Sequence, residues 1–222
     1  MEINKGEITV VIGRGKSEFL KSFDIDGKKS FYLDNNFDDF FCNSIYDDIY
    51  FVLKKRGFKN IDKRILNSIS MVKLDYSCLS RSISSLSLGE KKKVSLARLL
   101  ACNPRFLYLN EPFFGLDLCS KKEFIRLFKM MKVRYGKTFV ISTDDMNLAF
   151  ELADNLIVLN GDVVFSGNKY DFFTSEKLVS KYNICVPKLV EFVSYVRKNK
   201  NVKLSYRDDI SDIMKDIYRF VR

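Results

Sequence analysis

Residues 86–117 read LSLGEKKKVSLARLLACNPRFLYLNEPFFGLD, and the pattern of this stretch decides the fold. Ser87 followed three residues later by Glu90 is the pattern of a capping box, so a helix opens here. Its first turn leaves backbone N–H donors without intrahelical partners. Val94, Leu96, Ala97, Leu99 and Leu100 supply the apolar side, and Asn103-Pro104 ends the helix because the residue before proline is pushed out of the helical region. Lys91, Lys92 and Lys93 occupy the first turns, where the helix dipole disfavours cations. Lysines together with free N–H groups suggest an anion at this end, phosphate above all. Phe106 to Leu109 is an apolar run of strand length, and it delivers Asn110 and Glu111 to its carboxyl end.

In this order and spacing the residues resemble three motifs of ATP-binding cassette (ABC) ATPases. Leu86-Ser87-Leu88-Gly89-Glu90 stands for the signature, Phe106 to Glu111 for the Walker B strand with its catalytic glutamate, and Gly115-Leu116-Asp117 for the D-loop. An ordinary amphipathic helix followed by a core strand is the other reading. Leu88 replaces a glycine of the usual signature, and Asn110 replaces the Walker B aspartate that supports magnesium. The resemblance implies an α/β fold of the P-loop NTPase type: a mainly parallel core sheet with helices, a reduced antiparallel β-subdomain and an α-helical subdomain. It predicts an ATPase domain over residues 1–167, with the helical subdomain at about 42–100, and a small helical extension over residues 168–222.

Upstream, Glu7 to Ile12 reads as a strand, followed by Gly13-Arg14-Gly15-Lys16-Ser17 and a segment carrying Phe19, Leu20 and Phe23. Strand, glycine loop, Lys-Ser and helix is the order of a P-loop. A complete P-loop has four residues between its first glycine and Gly-Lys, so that successive N–H groups can wrap the phosphates. Here Arg14 alone separates Gly13 from Gly15. Lys16 and Ser17 could still meet the phosphate of ATP and its Mg2+; the alternative is a tight strand-to-helix turn whose lysine is solvated. The resemblance also sets Asp34 at the Q-loop glutamine and Asp144 at the switch histidine. An aspartate lacks the imidazole donor and repels a γ-phosphate, so hydrolysis at this chain's own site is expected to be severely weakened. Glu111 is the candidate general base for whatever hydrolysis survives, because a carboxylate at that strand end could align water.

Residues 30–53 contain Asp34, Asp38, Asp39, Asp47 and Asp48 and no lysine or arginine, in a chain whose net charge is +10. An acidic stretch on a basic protein suggests a basic partner. This stretch resembles the Q-loop and following helix of the ATPases of energy-coupling factor (ECF) transporters, importers of vitamins and transition metals. In that family the region receives the coupling helices of a transmembrane subunit. The resemblance thus implies a groove in which Asp38, Asp39, Asp47 and Asp48 meet arginines, which pair bidentately with carboxylates; a solvated acidic loop is the plainer alternative. The tail, with Leu189, Val190, Phe192, Val193 and Val196 and then Ile210, Ile213, Met214 and Ile217, resembles the ECF-type extension that helps two ATPases dimerise. Helices covering their own sheet edge would explain the same pattern.

Composition narrows the class. The start, MEINKGEITVVIG, is no signal peptide, and no apolar run approaches the roughly 20 residues of a membrane span, so a cytoplasmic protein is expected. Five widely spaced cysteines without a CxxC pair read as reduced thiols, and the absence of histidine removes imidazole chemistry. The charge alone would suit nucleic acid, an anionic membrane face or merely a solvated lysine-rich surface.

ABC ATPases join one subunit's Walker motifs to the other's signature. The departures here, a short P-loop with Asp34, Asn110 and Asp144, fall on the Walker side, while Ser87, Gly89 and Glu90 survive. The expectation is a peripheral ATPase subunit of an ECF-type importer, at the cytoplasmic face of the membrane. It would be paired with a second ABC ATPase, as heterodimer or homodimer, and with a transmembrane coupling subunit. ATP and Mg2+ would sit in a site completed by the partner ATPase. A non-hydrolysing scaffold of a membrane complex is the alternative, and no nucleic-acid partner is expected.

Overall fold

A computed structural model of the chain describes residues 3–23, 30–34, 39–200 and 204–220. Asp38, one of the four aspartates assigned to the groove, lies outside the described residues. In chain order the elements are β1 (Ile8–Arg14), α1 (Lys16–Lys21), β2 (Ser30–Leu33), α2 (Ile45–Lys55), α3 (Ile61–Met71), α4 (Leu88–Ala101), β3 (Phe106–Asn110), α5 (Leu118–Tyr135), β4 (Thr138–Ser142), α6 (Met146–Leu152), β5 (Asn155–Asn160), β6 (Asp162–Asn168), α7 (Lys169–Phe173), α8 (Glu176–Lys181), α9 (Lys188–Lys200) and α10 (Ile210–Phe220).

Among the described residues the named strands form one sheet in the order β2-β3-β4-β1-β5-β6. All neighbours are parallel except β5 and β6, which form an antiparallel hairpin through Gly161. Because side chains alternate across a strand, β1 sends Ile8, Val10 and Ile12 to one face and Val11 to the other. The first face carries the large core. There Leu107, Leu109, Phe139, Ile141, Leu156 and Val158 continue the layer, and Phe128 of α5 packs on Phe139 with ring centroids 5.0 Å apart. The second face is covered by α1, whose Leu20 is buried against Val11, Tyr108, Val140, Ile157 and Leu159.

The helix boundaries follow local chemistry. At the start of α4, Ser87 Oγ accepts from Glu90 N–H while the Glu90 carboxylate accepts from Ser87 N–H, the capping box that the sequence predicted. Asp117 caps α5 through Ser120 N–H at 3.0 Å, and Gly136 closes that helix in the left-handed conformation. The helix at α3 begins at Asn60 with φ 54°, so α2 and α3 form a hairpin whose apolar sides, including Ile49, Leu53, Ile65 and Ile69, bury against α4. No helix among the described residues is long and apolar enough to cross a membrane.

One difference from the sequence reading matters for function. Strand β1 does not stop at Ile12: Gly13 and Arg14 stay in register with Leu159 and Asn160 of β5. At Gly13 the backbone φ is +97°, and a Cβ there would stand 2.1 Å from the Leu159 carbonyl oxygen. Only glycine fits, because the conformation is strained for other residues and the neighbour is backbone that cannot yield. Gly13→Ala is therefore expected to lower the unfolding free energy by about 2–4 kcal/mol, read from the urea midpoint at unchanged m-value.

Candidate functional site

The carboxyl ends of β1, β3 and β4 converge on Lys16, Ser17, Asn110, Glu111 and Asp144. Gly15, at φ 89°, turns the chain from β1 into α1, so Lys16 is the first helical residue. A P-loop would keep the backbone before this lysine open to phosphate oxygens. Here Gly13 and Arg14 belong to the sheet ladder instead, and Gly161 N–H reaches back to the Arg14 carbonyl at 3.4 Å. The helix that follows has six residues. Neither the loop nor the helix start fits a triphosphate.

Lys16 is also engaged. Its Nζ lies 2.9 Å from Glu111 Oε1 and is paired with Asp144 as well, and its side chain is only 13% exposed. This corrects the reading of a solvated turn lysine. Burial by itself would depress the Lys16 pKa, but hydrogen bonds to Asp144 and Glu111 outweigh it and leave the pKa raised. The Glu111 carboxyl is pushed up by burial, with Lys16 opposing that shift. Glu111 sits at φ 47°, a strained position for a glutamate, and its N–H donates to Ser142 Oγ at 3.1 Å. The residue expected to align water as general base is thus held in an ion pair with the residue expected to hold phosphate.

Around the magnesium position the side chains satisfy one another. Asn110 Nδ2 donates to Asp34 Oδ1 at 2.8 Å and to Ser17 Oγ at 3.1 Å, and its Oδ1 accepts from Ser142 Oγ at 2.5 Å. Lys21 stands 3.6 Å from Asp34. An amide that donates to a neighbouring carboxylate and hydroxyl fills with its own N–H groups the place a cation would take. The donor set does not fit Mg2+, and among the described residues no cluster of acidic or sulfur ligands could hold a metal. Ser142 and Lys21 were missed in the sequence; a serine at the carboxyl end of a buried strand was the available signal for the former.

The signature side is better preserved. With the capping box using Glu90 N–H, the amides of Leu88 and Gly89 remain at the free end of α4. Leu88 is 47% exposed and lies over Gly115 of the D-loop, where a Cβ would meet its Cδ2 at 2.6 Å. Two of the three lysines, in contrast, turn away from this helix end. Lys92 is buried, donating to the carbonyls of Pro112 and Phe114, and Lys93 pairs with Glu123 at 2.7 Å. The expected combination of three lysines and free amides is corrected for Lys92 and Lys93, which turn to partners inside the chain.

The acidic groove also changes. Asp48 is fully buried and pairs inside the chain with Arg98 at 3.0 Å while accepting from Phe41 N–H at 2.6 Å, so it cannot meet a partner's arginine. Asp39 and Asp47 are exposed, and Ser44 Oγ donates to Asp47 at 2.6 Å. Phe31, Asp34, Asp39, Phe41, Phe51 and Arg56 help line a cleft of about 600 Å³ between β2 and α2. Its rim is aromatic and carries both signs of charge, with the Arg56 guanidinium 4.1 Å from the Phe31 ring centroid.

Residues 26–114 match the family model described as ABC transporter. An ECF transporter ATP-binding protein EcfA2 of Clostridium perfringens is 26% identical, the alignment covering 89% of this chain and 80% of that protein. Among solved structures, cbiO1 of the same species, described as part of the ABC transporter complex cbiONQ, superposes with a TM-score of 0.71 at 24% identity over 87% of this chain and 90% of its own. A dimeric ATP-binding cassette in a post-hydrolysis state, bound to ADP and phosphate, superposes with a TM-score of 0.64 at 22% identity over 76% of this chain and 88% of its own. At these identities the two structures establish the fold.

The signature helix gives the acid stability a clear sign. Hydrogen bonds from Arg81 and then from Ser87 N–H hold the Glu90 carboxyl down at about 2. A depressed carboxyl contributes stability that is complete above its unfolded value and is lost as pH falls through its folded one. Glu111, raised by burial, works in the opposite sense: its cost is absent while it is protonated and complete above its folded value. Glu90→Gln is therefore expected to flatten the fall of the urea midpoint between about pH 4.5 and about pH 2, and an unchanged slope would show that Glu90 carries none of it.

Proposed function

On the premise of an ABC ATPase fold whose relatives include ECF transporter ATP-binding proteins, we propose that this chain is the impaired member of an asymmetric ATPase pair in an ECF-type importer. The transported cargo would be a vitamin or a transition metal. The single observation that carries the reading is the Lys16–Glu111–Asp144 ion triad, behind a β1 that remains in the sheet through Arg14. In this chain the lysine is paired with the candidate general base, both largely buried, and with the exposed aspartate at the switch position. Opening the site to a nucleotide would require breaking these pairs and stripping two residues from the β1–β5 ladder, with little loop available in exchange.

The other half-site has no such obstacle. Ser87 and the amides of Leu88 and Gly89 would face the phosphates of ATP bound by a second ABC ATPase, and Asp117 would stand in the adjoining D-loop. Bound there, ATP with its Mg2+ would supply the phosphoryl group, while this chain contributes hydrogen-bond donors and a fixed helix end. The heterodimer is the arrangement that suits such division of labour. The cleft between β2 and α2 would receive a transmembrane coupling subunit, through aromatic contacts with Phe41 and Phe51 and the carboxylates of Asp34 and Asp39. The chain would then work peripherally at the cytoplasmic face of the membrane. The closed Walker side also suits a scaffold that handles no nucleotide at all.

The test is ATP turnover by the purified membrane complex carrying a single substitution in this chain. Ser87→Arg is expected to reduce turnover at least about tenfold, equivalent to about 1.4 kcal/mol of barrier, while Lys16→Ala leaves it within about twofold. Loss with Lys16→Ala would overturn the closed-site reading. Indifference to both substitutions would leave the scaffold.

A further inference from the structure

We propose that Lys92 is a positioning residue that ties the signature helix to the D-loop, so that the face offered to a second ATPase is held together by one buried ammonium. The inference rests on the trans role given to the signature above, and it adds a residue that the signature and D-loop motifs do not contain. Lys92 lies on α4, one turn beyond the capping box, and is 1% exposed. Its Nζ donates to the Pro112 carbonyl at 3.3 Å and to the Phe114 carbonyl. Both oxygens belong to the segment that leaves the Walker B strand after the strained Glu111 and leads to Asp117.

Burying an ammonium is costly, and an apolar side chain of similar length would fill the same space without that cost. What the lysine adds is directed hydrogen bonding to two carbonyls across a turn. That turn has other anchors of a different kind. Phe113 is buried against Phe124 and Phe128, and Phe114 N–H bonds to the Glu111 carbonyl at 3.1 Å. The Phe113 ring fixes one end in the core; Lys92 orients the peptide groups on either side of it.

The outward consequence is specific. Phe114 and Leu118 are 69% and 78% exposed, and Leu88 stands beside Gly115 on the same face. Lys92 therefore fixes, from inside, both the helix that carries Ser87 and the loop that carries Phe114 and Asp117. Burial brings the Lys92 pKa down to about 8; Glu111, at the end of β3, raises it, and Lys121 of α5 lowers it. The strength of the tie should accordingly vary in the mildly alkaline range.

The experiment is backbone hydrogen exchange on the full chain, together with turnover of the membrane complex, for Lys92→Met and, as control, Lys93→Met, whose parent lysine pairs with Glu123 away from the D-loop carbonyls. Lys92→Met is expected to speed exchange of the amides from Phe114 to Leu118 by at least about tenfold relative to those of β3, and to lower complex turnover. Lys93→Met should leave both within about twofold. In the unsubstituted chain, opening the D-loop would return Lys92 to water, where it holds its proton to higher pH, so D-loop protection relative to β3, corrected for intrinsic exchange, should strengthen as pH rises above about 8, which tests the tie even if Lys92→Met does not fold. Unchanged D-loop protection, uniform loosening of β3 and α4 together with it, or a loosened D-loop with normal turnover in a complex that Ser87→Arg does impair would each overturn the proposal. Ser87→Arg separates the premise: if it is silent while Lys92→Met still loosens the D-loop, the trans reading fails and the internal tie stands.

Discussion

The close approach of Gly13 to the Leu159 carbonyl is the constraint on which the site depends. It lets β1 remain paired with β5 as far as Arg14, in the middle of a parallel sheet where backbone groups must be hydrogen-bonded. Since the ladder consumes those residues, the turn into α1 is left with Gly15 alone, and Lys16 enters at the carboxyl edge of the sheet. There the ends of β3 and β4 present Glu111 and Asp144 within reach. The short loop and the switch-position aspartate are thus two parts of one arrangement: the first places an ammonium, and the second helps to neutralise it.

A similar economy governs the other charged groups that leave solvent. Arg98 takes up Asp48 and also donates to the Asp39 carbonyl, binding α4 to the start of α2. Lys137 bonds the Asn103 side chain and the Pro104 carbonyl, closing the loop after α4. Asn110 joins Ser17, Asp34 and Ser142. Each of these side chains has found a partner within the chain, as low dielectric requires. The Walker side therefore has the character of a completed internal network, whereas the signature end of α4 retains outward amides and an exposed apolar rim. That asymmetry is the physical content of the functional proposal.

Much of this fold was legible in residues 86–117 and in the strands around them. A capping box, an apolar helix side, an Asn-Pro stop and short apolar runs are local signals, and α4, β3, β4 and the β5–β6 hairpin follow them closely. The site was legible in part. Ser17, Asn110, Glu111 and Asp144 were selected by motif spacing and do come together, since the carboxyl ends of parallel strands share one edge. Charge destinations are not legible in the sequence, which leaves Lys16 between phosphate and solvent, sets Lys92 near an anion and offers Asp48 to a partner's arginine or to solvent. Each of these side chains meets groups far away in sequence, and composition carries no record of which counter-charge lies within reach.

The sequence by itself determined the elements, the order of the motifs and the positions at which those motifs are altered, because capping, periodicity and loop length are properties of neighbouring residues. Only the tertiary structure decided what the alterations do. Bringing β1, β3 and β4 side by side converts a missing loop, an asparagine and an aspartate into a closed network of ion pairs and hydrogen bonds. The energies of those contacts depend on distance and burial, which exist only once the sheet has formed.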